Sequence, residues 1–205
     1  MLAAARDTAR TRGSGARRWA TLDAVHKVKA SDLVSLRKSL ADQEPAALEA
    51  VRSRMPPDLR AVLDATVASA WLPDPQICEI YGHFCAVLFP GALSPFVRLG
   101  RRMALTSYRG VYRIFLAIPS TTFVIGKAAS VWASYHSTGK ATMEDVTDRS
   151  AVLVVRGADP IRSEMIDIVS GHTLSLAELT GAKDARVVAK SDDPTALRWS
   201  IRWGS

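Results

Sequence analysis

Apolar residues recur at helical spacing through the first two-thirds of the chain and change to strand spacing after residue 139. Leu33, Leu36 and Leu40 form one stripe, and Ser31 before them predicts a capped helix running to about residue 41. Pro45 suits the first turn of a second helix, to residue 54, that buries Leu48 and Val51. Pro57 opens a third, with Leu59, Val62, Leu63 and Val67 inward, and Trp71-Leu72-Pro73 reads as a connector. Asp74-Pro75 begins the most regular helix, in which Ile77, Ile80, Tyr81, Phe84, Val87 and Leu88 share one face as far as Pro90-Gly91. Ser94-Pro95 starts another, carrying Phe96, Val97, Leu99 and Met103, and residues 108–118 continue as helix. Ser120 is placed to cap a helix from 121 to about 135, with Phe123, Val124, Ala128, Val131 and Trp132 inward, stopped by residues 136–139.

Beyond Gly139 the branched run Val152-Leu153-Val154-Val155 is too short for a helix, so 141–147 and 151–156 read as a hairpin. Asp159-Pro160 predicts the cap of a long helix to Leu179, ended by Gly181. Residues 186–190 and 196–203 are two more strands, the last with Leu197, Trp199, Ile201 and Trp203 on one face. The order is a helical bundle followed by strand, strand, helix, strand, strand. That pattern predicts an α+β fold, with an N-terminal multi-helix bundle packed on a small antiparallel sheet.

The chain has 205 residues, 48% hydrophobic and 23% charged, which is enough apolar material for one core. Residues 1–26 are read as a disordered basic tail and 27–205 as a single ligand-binding-like domain. Cys78 and Cys85 lie seven residues apart, two helical turns, too far for a disulfide, and read as buried thiols. Neither a secretory leader nor an apolar run of membrane-spanning length is visible, so a cytoplasmic protein is expected.

The net charge of +7 is unevenly placed. Arg6, Arg10, Arg12, Arg17 and Arg18 face only Asp7 in the tail, and no acidic residue falls between Glu79 and Glu144. On one continuous helix Arg98, Arg102, Arg109 and Arg113 would fall within about 60° of one another. Such a stripe would meet an anionic group or an acidic partner face, unless acids from elsewhere such as Glu49 or Asp64 neutralise it. Nucleic-acid or anion binding through tail and stripe is an alternative; nucleic acid is the less favoured partner.

No nucleophile elbow, phosphate loop, zinc-protease motif or dinucleotide fingerprint is present, so a non-enzymatic domain is expected, with no metal and no cofactor. Among the histidines, His26 reads as exposed, His83 as a solvated partner of Glu79, and His136 as a helix C-terminal group that bonds the last carbonyls. His172 interrupts the stripe Met165, Ile168, Leu176 and Leu179, which makes it a candidate ligand contact or haem ligand, or a core or half-buried histidine with one hydrogen bond. Tyr112, Tyr135 and Trp132 complete a candidate ligand-binding set with His172.

Several strings agree in order with a known pattern: Pro56-Pro57, Trp71-Leu72-Pro73, Leu99-Gly100-Arg101, Tyr108-Arg109-Gly110-Val111-Tyr112-Arg113, Trp132 to Gly139, Leu179 to Asp184 and the terminal tryptophan strand. They resemble an uncharacterised bacterial family known mainly from myxobacterial-type genomes. That family is distantly similar to the superfamily of haem nitric-oxide sensors, 4-vinyl reductase-type ligand-binding domains and vesicle-tethering subunits. The resemblance implies helices around a small antiparallel sheet, a homodimer or a partner protein, and a small apolar or acidic ligand in a sensing or scaffold role. Haem sensors of that superfamily carry Tyr-x-Ser-x-Arg; the string here is Tyr135-His136-Ser137-Thr138-Gly139, with glycine in place of arginine. A haem-based gas sensor is therefore the alternative reading.

Overall fold

The computed structural model describes residues 25–108, 121–193 and 195–204. The tail to residue 24, Arg109, Tyr112, Arg113 and the helix expected over 108–118 therefore lie largely outside the described residues.

The first half is helical. Helices α1 (Ser31–Gln43), α2 (Pro45–Arg54), α3 (Pro57–Ala65), α4 (Asp74–Leu88) and α5 (Pro95–Tyr108) start where the prolines and the Asp74-Pro75 pair predict. Three readings change. Ser31 is the first helical residue and not the cap, which falls on Ala30. Val67, expected inward, is 60% exposed because α3 ends at Ala65. Trp71-Leu72-Pro73 is a strand, β2 (Trp71–Pro73), antiparallel to β1 (Lys27–Lys29). Three-residue strands paired across more than forty residues carry no local signature.

The second half contains α6 (Thr121–Gly126), α7 (Ala128–Tyr135), β3 (Lys140–Glu144), β4 (Ser150–Arg156), α8 (Ser163–Leu179), β5 (Lys183–Asp193) and β6 (Ala196–Gly204). One helix expected over 121–135 is thus two, divided at Lys127, and Phe123 faces outward. The sheet order is β3-β4-β6-β5, antiparallel throughout. Trp199, Ile201 and Trp203 are buried on the face expected of them.

Two apolar clusters result. One is built by α1 to α5, with Leu33, Leu36, Leu63, Ile80, Phe84 and Leu99 sealed from solvent. The other lies between the sheet and α6 to α8, around Trp132, Leu153, Trp199 and Ile201. Helix α8 belongs to both, giving Met165 and Ile168 to the first and Leu176 and Ala177 to the second.

Two details fix where α8 runs. Gly100 and Gly171 face each other's helix, and a Cβ at either would overlap a carbonyl oxygen, Ile168 O or Val97 O respectively. Helix α5 therefore crosses α8 backbone to backbone. The expected cap at Asp159-Pro160 does not form. The Asp159 N–H donates to Thr138 Oγ1 at 3.1 Å, and the Arg162 N–H donates to the buried Asp74 carboxylate at 2.8 Å, so α8 begins at Ser163.

Candidate functional site: a cavity at the seam between the two cores

A cavity of about 130 Å³ lies where α8 passes from one core to the other. Its walls come from β1, α1, α4, α5, α6, α7, β4 and α8, and most of the surface is apolar: Val28, Met103, Ala104, Val124, Trp132 and Leu176 contribute. Its size is close to that of an apolar cavity of about 150 Å³ that accepts benzene or xenon. It is below the roughly 300–1,000 Å³ of most small-molecule pockets.

Three of the four expected ligand-binding residues meet there. His172, Trp132 and Tyr135 all line the cavity, whereas Tyr112 is outside the described residues. Trp132 is anchored by its Nε1–H, which donates to Thr138 O at 3.0 Å. His172 keeps 26% of its side-chain surface open, yet its Nε2 is sealed and has no hydrogen-bond partner. The open part belongs to the cavity, and burial pushes the His172 pKa below its ordinary value against the pull of Asp32. The imidazole is accordingly neutral at pH 7.

Sequence reasoning missed the carboxylate beside it. Asp32 Oδ2 stands 3.7 Å from His172 Nε2, too long for a hydrogen bond. Its Oδ1 accepts from Ser107 Oγ at 2.9 Å. In the sequence Asp32 is an acid in the first turn of a helix, a position that needs no further explanation. Tyr81, on α4, completes this end; burial, then the Asp32 charge, drives its phenol pKa well up. Serine, aspartate and histidine are all present, but Ser107 donates to the carboxylate and not to the imidazole. No base therefore receives the serine proton, as a Ser-His-Asp nucleophile requires.

A second histidine pair adjoins Trp132, and its His136 also lines the cavity. His26, expected at the surface, is fully buried; its Nδ1 pairs with Thr138 Oγ1 at 2.9 Å and its Nε2 with His136 Nδ1 at 2.9 Å. His136 does not bond the helix-end carbonyls. Its ring stacks on Trp132, with centroids 3.7 Å apart. Burial lowers both pKa values, and the two neighbouring imidazoles help to bring His136 down to about 3. Both groups are neutral at pH 7, and one ring donates an N–H to the lone pair of the other.

The arginine stripe is not four free cations. Arg102 pairs with Glu44, and its neighbour Arg101 pairs with Glu178 at 2.5 Å. Asp64, one of the acids considered as a neutraliser, binds Arg52 instead. Arg98 is exposed, while Arg109 and Arg113 lie outside the described residues. Cys78 and Cys85 are buried free thiols. Among the described residues, no group of three or more His, Cys, Asp or Glu side chains converges for a metal, and no helix is long and apolar enough to cross a membrane.

Set against solved structures, the fold has counterparts. The chain is similar to an unliganded Fe(II) H-NOX protein from K. algicida, with a TM-score of 0.60 and 8% identity over 86% of this chain and 97% of that one. The fold is that of an H-NOX domain. An oxygen-binding H-NOX domain related to soluble guanylate cyclases, in its oxygen complex, matches with a TM-score of 0.60 and 12% identity over 86% of this chain and 95% of that one. A point mutant of T. Tengcongensis H-NOX matches with a TM-score of 0.59, 12% identity, and 86% and 98% coverage. No family model matches the chain and no curated protein matches it, so the resemblance to an uncharacterised bacterial family rests on its motifs alone.

The H-NOX fold raises the question of haem, and the residues present do not fit it. The cavity has room for a single aromatic ring, and a porphyrin is several times larger. His172 Nε2 is sealed against Asp32 and offers no open lone pair to iron. In the Tyr135 to Gly139 string, the Ser137 hydroxyl accepts from the Lys27 N–H at 2.7 Å and is already used to hold β1. Gly139 has φ of +85°, and a Cβ there would sit 2.8 Å from both Ala158 Cβ and Val155 Cγ1. Arginine cannot take that place without moving the β4 end.

Proposed function

We propose that this domain is a non-enzymatic sensing module that binds a small, largely apolar molecule in the seam cavity. The observation that carries the reading is the cavity itself, which lies between the two cores and is bordered by His172, whose sealed Nε2 has no partner. Interiors pack with few voids larger than water, and buried polar atoms are nearly always paired. A void and an unpaired atom, His172 Nε2, meet at one place; the other unpaired buried atom among the described residues, Ser31 Oγ, lines no part of the cavity. The H-NOX fold supports the sensing role, since ligand occupancy between α5, α7 and α8 would act on the helices that join the two cores. In this reading the domain works in the cytoplasm and reports to a second copy or to a partner whose acidic face meets Arg98.

Thermal denaturation with benzene, toluene and indole tests the proposal. A ligand that binds the folded state alone stabilises it by about 2.7 kcal/mol at a hundredfold excess over Kd. The melting temperature is expected to rise with at least one of them, and the rise is expected to vanish in Ala104→Phe, which fills the cavity. No rise with any of the three overturns the reading. Haem is the second reading, favoured by the fold: the purified protein given haemin is expected to show no Soret band of ligated haem, and a band abolished by His172→Ala would restore it.

A further inference from the structure

We infer that the cavity selects an amine: a small apolar molecule whose ammonium group is held by the Asp32 carboxylate. The inference rests on the cavity reading above and adds the chemistry of the ligand. It follows from the charges that border the space. Among the described lining residues, Asp32, Lys29 and Lys127 are the ionic ones, joined by His136 and His172. Both histidines are held neutral by burial. The two lysines contribute only their stems. The Lys29 ammonium lies 6.0 Å from the Trp71 ring, and the Lys127 ammonium lies 5.3 Å from the Phe123 ring. Trp71 and Phe123 are 40% and 43% exposed and line no part of the cavity, so both cations point to the surface. Among the described residues, Asp32 is then the one charged head that faces inward.

That carboxylate is incompletely answered. Its side chain is 11% exposed, Oδ1 accepts from Ser107, and Oδ2 has no hydrogen bond among the described residues. The N-terminal end of α1 offsets part of its charge, but no cation among the described residues pairs with it. A buried carboxylate without a counter-cation is costly, and a positive ligand removes that cost. Tyr81, Trp132 and Tyr135 add aromatic faces, which attract cations. An acidic ligand would instead be repelled by Asp32. The cavity volume limits the rest of the molecule to about one ring.

Isothermal titration of the full chain with benzylamine, benzyl alcohol and phenylacetate tests this, because the three share a ring and differ in charge. Benzylamine is expected to bind roughly tenfold or more tighter than benzyl alcohol, with phenylacetate weakest, since hydrogen bonds to charged groups are the strong ones. Asp32→Asn is expected to remove the benzylamine advantage and to leave benzyl alcohol unchanged. The wild-type series decides even if that variant does not fold. Benzyl alcohol binding as well as or better than benzylamine overturns the amine inference and leaves the cavity reading standing. Failure of all three to bind, together with unchanged melting in benzene, toluene and indole, overturns both. A benzylamine preference that survives in folded Asp32→Asn removes Asp32 from the role.

Discussion

Two imidazole sites adjoin Trp132 and the cavity, and they differ in how completely their polar atoms are used. The His26–His136 pair closes on itself: both His26 nitrogens are bonded, Thr138 accepts from two further groups, and the Val28–His136 bridge ties β1 to the end of α7. The His172 site stays open, with Nε2 unpartnered, Oδ2 of Asp32 without a hydrogen bond among the described residues, and a largely apolar space beside them. Both keep their histidines neutral by burial. Satisfied polar groups specify a packing, whereas unsatisfied ones beside a void mark where something else is received.

The most severe way to break the contrast is Gly171→Ala. The added Cβ would overlap the Val97 carbonyl and lie 2.9 Å from the Arg101 nitrogen, which forces α5 away from α8. A loss of about 3 kcal/mol or more is expected, read by chemical denaturation, because backbone cannot yield as a side chain does. Fluorescence of Trp132 is expected to report the change at the same denaturant concentration as circular dichroism.

Acid is the next lever. The folded pKa values of His26, His136 and His172 lie below the ordinary 6.5, so their contribution is present above that value and is lost as pH falls towards the folded values, about 3 for His136. Each histidine costs up to about 1.4 kcal/mol per pH unit in that window. Burial raises Asp74 and Asp167, which act in the opposite direction, favouring the fold more as pH falls. A net fall in melting temperature is expected between pH 7 and pH 5, and His136→Phe, which preserves the stack on Trp132, is expected to flatten it. A melting temperature independent of pH over that range would mean that the histidines are not locked neutral.

Single substitutions then separate the two sites by sign. His26→Ala leaves His136 Nδ1 without its partner and removes one of the bonds of Thr138 Oγ1, so a loss of about 2 kcal/mol is expected in chemical denaturation. His172→Leu removes an atom that has no bond to lose; stability is expected within about 1 kcal/mol of wild type, or higher. Equal losses at the two positions would erase the distinction.

What can be read from the sequence follows the range of each signal. Helix starts at Pro45, Pro57, Asp74-Pro75 and Ser94-Pro95, the alternation of β6 and the antiparallel sheet are local patterns, and all are present. His172, Trp132 and Tyr135 are legible as a set because a polar residue on an apolar stripe and aromatic residues at a helix end are visible in one dimension. Asp32 is not, since its helix-start position hides a side chain that meets Ser107 seventy-five residues away. The burial of His26 depends on β1 pairing with β2 and reaching His136, contacts that no neighbouring residue announces. The delay of α8 to Ser163 likewise needs Asp74, brought in from another helix.

The central claim, that the seam space receives a ligand, is tested most directly by a crystal structure of the protein pressurised with xenon. Enclosed apolar cavities of this size accept xenon. One strong peak is expected beside Ala104, Trp132 and His172, absent in Ala104→Phe. Side chains that close the space in the unpressurised crystal, with no xenon between α5, α7 and α8 under pressure, would contradict the account.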